Sequence, residues 1–291
     1  MIEQQKKDII RFQKDEITTH AFYLRLARLL KDPHNARVLN DMAQTEKGHY
    51  AFWKQYSGVD LKPDALRVTF FTLIARLLGL TFAVKLMEKG EAAGAKQYAA
   101  FEAVIPGAAQ LGRDEEQHEQ TLAGMIREDL LAYMGSIVLG LNDALVELTG
   151  TLAGLTLALQ NGRLVAISGL ITGLAAAFSM AASEYLSARA DEDPKAGRSA
   201  LYTGAAYLVT VALLILPYLL IPQNGAGIYI SLAVTLTIAV LIILAFNFYI
   251  SVARDLPFRR RFLEMFVISM GVAALSFGVG LLVRRLFGID I

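Results

Sequence analysis

Five apolar stretches, at about 136–159, 164–186, 202–222, 228–252 and 263–283, set what the C-terminal part of this chain can become. Each reaches the roughly 20 residues that a helix needs to cross a bilayer. In lipid a backbone must satisfy its own hydrogen bonds, and a helix does so within one segment. The expectation for residues 131–291 is therefore a domain of five transmembrane helices.

The rest of the chain is written for water. Residues 1–130 carry 18 basic and 18 acidic side chains, and the longer remainder only 10 and 9. All four histidines, His20, His34, His49 and His118, fall in the first part. A net charge of +1 gives no field for nucleic acid, which is not expected as a partner. With no cysteine, disulfides, thiolate metal sites and cysteine nucleophiles are excluded. The opening "MIEQQKKDIIRFQKDE" is charged and lacks the apolar core of an export signal. Basic residues gather in the joints after the second and fourth spans, at Arg189, Lys195 and Arg198 and at Arg254, Arg259, Arg260 and Arg261. The positive-inside rule then puts those joints and the N-terminal domain in the cytoplasm and the C-terminus outside, although Arg284 and Arg285 run against it.

Residues 1–130 read as four helices, over about 3–31, 35–56, 65–105 and 108–130, separated by "KDPHN", "SGVDLKPD" and Pro106-Gly107. Short connections point to an antiparallel bundle. The stretch 65–87 is nearly as apolar as a span yet carries Arg67, Arg76 and Lys85. It is expected to be an interfacial segment or to pack on a partner.

Two of these helices carry Glu-x-x-His, at Glu46 and His49 and at Glu115 and His118; the others offer Glu16 and Glu91. Three-residue spacing puts acid and imidazole on one helix face. One glutamate from each of two helices plus Glu-x-x-His from each of the other two is the di-iron pattern of four-helix bundles. Carboxylates neutralise two divalent ions, and imidazole adds a nitrogen donor suited to iron. Reflecting His49 about Pro33 lands near Glu16, and reflecting His118 about Pro106 lands near Glu91. Glu88 and His20 are further, weaker ligand candidates. Glu116 and Glu119 fall on the water-facing side, His34 in a turn, and Tyr23 and Tyr98 read as core. With these motifs, residues 1–130 resemble the rubrerythrin branch of the ferritin-like superfamily. The resemblance implies a dinuclear Fe²⁺/Fe³⁺ centre, with Mn²⁺ as the other ion. It departs at Gly94, where rubrerythrins usually have a second glutamate.

Acids inside spans are costly and by default functional. The first span holds Asp143 and Glu147, four apart; the second holds Met180 and Glu184, with Ser179 and Ser183 alongside; the fifth opens with Glu264 and Met265. Oxygen donors beside a thioether suit Fe²⁺ better than Mg²⁺. "GTLAG" (150–154) and "GLITG" (169–173) let helix backbones approach closely, within the chain or between copies. "IVLGLNDALVELTGTLAGL" and "GLAAAFSMAASEYLSARAD" are similar to the first two spans of the vacuolar iron transporter family. The resemblance implies that Asp143 and Met180 line the transport path, with Glu147 on the same helix. It further implies a homodimer that moves Fe²⁺ or Mn²⁺ out of the cytosol in exchange for protons. A soluble helical domain ahead of such spans resembles the membrane-bound ferritin (rubrerythrin–VIT fusion) group of prokaryotic iron exporters, which implies a prokaryotic cytoplasmic membrane. The expected fold is thus all-α, a ferritin-like four-helix bundle followed by a five-helix transmembrane domain. The rival expectation is a membrane-anchored di-iron oxidase or peroxidase.

Overall fold

The structure, a computed structural model, describes residues 3–115, 133–222 and 226–287, apart from the side chains of 91–96, 99 and 287. All regular structure among the described residues is helical. The chain divides into two compact units, Met1–Asp129 and Leu130–Ile291.

In the first unit α1 (Glu3–Leu29) buries Ile9, Phe12, Glu16, Thr19, Tyr23 and Leu26. That three-four spacing forms one helix face. Helix α2 (Pro33–Ser57) opens with Pro33 after Asp32, whose carboxylate accepts from the His34 N–H, and closes on Gly58 at φ 70°. These are the start and stop signals that helices favour: a capping acid, a proline lacking an N–H, and a glycine free to turn left-handed. Its inward stripe, Asn35, Val38, Leu39, Met42, Glu46, His49 and Trp53, packs against that of α1.

The helix expected over 65–105 is instead two. Helix α3 (Ala65–Leu78) starts at the N-cap Asp64, which accepts from the Leu66 and Arg67 N–H groups. It ends at Gly79, whose φ 98° and ψ 157° lie in a region open almost only to glycine. Helix α4 (Leu80–Tyr98) packs back on α3, so a Cβ placed on Gly90 would lie 3.6 Å from Arg67 Nη2. A 3-10 turn, Ala99–Phe101, follows α4, and α5 is helical from 108 to the last described residue of this unit, Glu115. The apolar stretch 65–87 therefore has two halves with different reasons for being apolar. Leu80, Ala83, Val84 and Met87 fill a core with Phe22, Tyr23, Leu39 and Met42, whereas much of α3 stays exposed.

The second unit consists of α6 (Met134–Leu159), α7 (Gly162–Ala190), α8 (Ala196–Leu220), α9 (Gly227–Ala253) and α10 (Phe258–Phe287). All five are long and apolar enough to cross a membrane, as the sequence leads one to expect. Helix α6 is central and touches each of the other four. Both Gly-x-x-x-Gly stretches are used within the unit. Gly150 and Gly154 receive Val272 and Ser276 of α10, while Gly169 meets Leu152 and Gly173 meets Val211.

Candidate functional site

The inward stripes of α1 and α2 are apolar at both ends and polar in the middle. One cluster joins Ile9, Phe12, Trp53 and Ile105, another joins Phe22, Tyr23, Leu39 and Met42, and Glu16, Glu46 and His49 fall between them along the chain. Helix α5 adds Glu115. All four are deeply buried, Glu16 at 3 % exposure, Glu46 at 0 %, and His49 and Glu115 at 6 %. One ligand atom from each lies within 4.8 Å of those of the other three. His49 Nδ1 sits 3.6 Å from Glu16 Oε2 and 3.7 Å from Glu46 Oε2, and its ion-pair contact is with Glu115 Oε1. The Tyr98 hydroxyl donates to Glu16 Oε1 at 2.8 Å.

Three buried carboxylates around one imidazole leave an excess of negative charge, and each such ion costs several kcal/mol to desolvate without a counter-charge. Protons relieve part of it. Burial pushes the Glu46 carboxyl well above the usual range, and the charge of Glu115 pushes the same way. Burial also raises Glu115, reinforced by Glu16. At His49 burial favours the neutral ring, but the surrounding carboxylates of Glu115, Glu16 and Glu46 outweigh it and hold the imidazolium far above its ordinary pKa. Both Glu46 oxygens nevertheless remain buried without a hydrogen-bond donor. An oxygen-rich set with one imidazole and two orphaned oxygens fits a divalent transition-metal ion.

The packing of α1, α2 and α5 thus brings Glu16, Glu46, His49 and Glu115 together. His118 and the side chain of Glu91 lie outside the described residues. Glu88 is buried elsewhere on α4, where it accepts from the Tyr23 hydroxyl. His20 Nδ1 lies 2.6 Å from the Ala43 carbonyl oxygen and is not part of the cluster. Tyr23 and Tyr98 are core residues as their sequence context suggests, yet each also holds a buried glutamate. Nothing in their apolar neighbourhood announces that second task.

In the membrane unit Asp143 and Glu147 are half-buried on the central helix α6. Glu147 Oε2 accepts from the hydroxyl of Tyr207, a fully buried residue of α8, at 2.5 Å. Met180 packs against the core from α7. One turn on, Glu184 Oε1 accepts from Ser136 Oγ at 2.6 Å. Ser179 and Ser183 are exposed on the same helix. Glu264 stands apart, exposed and paired with Arg260 at 2.8 Å, while its neighbour Met265 turns into the core. Tyr207 and Ser136 are the partners that sequence reasoning missed, because a lone hydroxyl in an apolar helix carries no periodic signal.

No curated protein and no solved structure matched the chain. Residues 134–197, which take in α6, α7 and the first residues of α8, match the model of the VIT family. That stretch contains Asp143, Glu147, Met180 and Glu184, and with the five membrane-capable helices it supports a VIT-type membrane domain for residues 130–291.

Proposed function

We propose that this protein is an integral membrane transporter that exports Fe²⁺, with Mn²⁺ as an alternative cargo, from the cytosol in exchange for protons. The observation that carries the reading is the VIT-family match over the helix pair that bears the intramembrane acids. In this proposal Asp143 and Glu147 offer the oxygen donors of the path and Met180 its thioether, a combination suited to Fe²⁺. The buried hydroxyl of Tyr207 fixes one Glu147 oxygen and leaves the other for the cargo. Glu184 and Glu264, nearer the basic joints, serve the cytoplasmic mouth.

The soluble unit is the intake. Glu16, Glu46, His49 and Glu115 bind the ion as it arrives, and the orphaned Glu46 oxygens are what it satisfies. Glu91 and His118, added as the sequence pattern implies, would make the centre dinuclear in the manner of a ferritin-like bundle. Iron bound there would supply one-electron redox chemistry, with dioxygen or a peroxide as the acceptor of the electron lost when Fe²⁺ is oxidised. The transporter acts as a homodimer, a reading supported by Ser179 and Ser183, which are polar residues on an exposed side of a span. The soluble unit lies in the cytoplasm of a prokaryotic cell.

Flux of Fe²⁺ and Mn²⁺ into proteoliposomes tests the path. Asp143→Ala is expected to abolish it, and equal flux in variant and wild type would remove the proposal. An anchored oxidase or peroxidase would show no flux at all and would have no need of acids within its anchor.

A further inference from the structure

Helix α3 is apolar on two opposite sides. Val68 and Thr72 are buried in the unit, while on the far side Leu66, Phe70, Leu73 and Leu77 are 85 %, 59 %, 53 % and 72 % exposed. Their spacing of four, three and four lines them up in a single stripe. A water-facing stripe of this kind costs solubility unless something covers it, and within the described residues nothing does.

We infer that this stripe lies in the headgroup region of the bilayer, so that α3 is an in-plane membrane-docking helix of the soluble unit. The footprint argues against a second copy as the cover. The helix has 14 residues. At about 1.5 Å per residue and about 10 Å across it offers roughly 200 Å², against about 800 Å² per partner in a stable complex. Cations border the stripe as anionic headgroups require. Arg76 is exposed on one flank, and Arg25 reaches the same flank through its 3.0 Å hydrogen bond to Thr69. An apolar face with arginines beside it is the pattern of helices that settle about 5–10 Å into the interface. A bilayer is also always within reach. Only residues 116–132 separate the described part of this unit from Tyr133, beside the first membrane helix, and even fully extended they reach no more than about 60 Å. The break at Gly79 has its use here, since it lets α3 leave the direction of α4 and present its outer side as a separate surface.

The chain has no cysteine, so single labels are clean. Full-length protein carrying Leu73→Cys or Leu77→Cys is labelled with a polarity-sensitive fluorophore and reconstituted in phosphatidylglycerol vesicles containing brominated acyl chains. Ile171→Cys, exposed on α7, is the lipid reference, and Asp41→Cys, exposed on α2, the water reference. The α3 labels should show blue-shifted emission and several-fold stronger bromine quenching than the Asp41 label. If they match Asp41 while Ile171 is quenched, docking fails and the membrane reading of the spans stands. If Ile171 is not quenched, the membrane reading itself fails and docking with it. Cross-linking between the α3 cysteines of two copies, without bromine quenching, would overturn the inference in favour of a dimer contact.

Discussion

Glu46 concentrates the chemistry of the N-terminal unit. It is fully buried, lacks a hydrogen-bond donor on either oxygen, and sits among Glu16, Glu115 and His49. Glu46→Gln removes one buried acid, so metal binding should fall at least tenfold while the metal-free protein gains stability. Isothermal titration and thermal unfolding read the two effects separately. The pH dependence follows from the directions of the shifts. Glu46 and Glu115 are raised above the usual carboxylate range and His49 above its usual value. A raised folded-state pKa stabilises below the unfolded-state value and loses that contribution as pH rises through the folded one. The metal-free cluster thus weakens the fold as pH rises, and a bound ion, which must displace those protons, reverses the loss. Stabilisation by added Mn²⁺ should therefore grow between about pH 5 and pH 8, and a pH-independent increment would refute the assignment. In the membrane unit Tyr207→Phe deletes only the hydroxyl that holds Glu147. It should lower Mn²⁺ flux several-fold and leave thermal stability nearly unchanged.

Helices in this protein are placed by their glycines as much as by their apolar residues. A Cβ on Gly140 would come 2.2 Å from the Thr203 carbonyl oxygen, and one on Gly280 would come 2.4 Å from that of Gly154. Backbone oxygens cannot swing aside as side chains do, so Gly140→Ala must part α6 from α8, and Gly280→Ala must part α10 from α6. Each should lower the midpoint of detergent-solubilised unfolding by several degrees, whereas Gly278→Ala, with nothing within 4 Å, should not. Gly79 acts through conformation instead. At φ 98° and ψ 157° any side chain there costs about 1–3 kcal/mol, so Gly79→Ala should destabilise the N-terminal unit by that amount. These roles were only partly legible. "GTLAG" and "GLITG" announced close helix approach but not that α10, α6 and α8 supply the facing surfaces. Gly79 gives no stop signal within an otherwise helical run, because one glycine is tolerated in a helix and only tertiary contacts choose between bending and continuing.

At the scale of the whole molecule the chain is a composite of two solvents, and its sequence declares this without help. Segment length and hydropathy determined five membrane helices, because bilayer thickness is fixed and each helix must satisfy its backbone alone. Motif spacing determined which acids and imidazole share a helix face, because the helical repeat is fixed. Glu16 could even be matched to His49 by counting residues from the turn at Pro33. Orientation is open to the same kind of test. In inside-out vesicles protease should reach the soluble unit and the joints around Lys195 and Arg260, and protection of either would contradict the charge rule. Tertiary structure alone decided the rest: the hydroxyls that hold buried carboxylates, the reversal at Gly79, the side of α3 left bare, and the helix that meets each glycine. Those depend on which surfaces come within a few ångströms across tens of residues of chain. A local repeat fixes what lies on a face, but not what the face will meet.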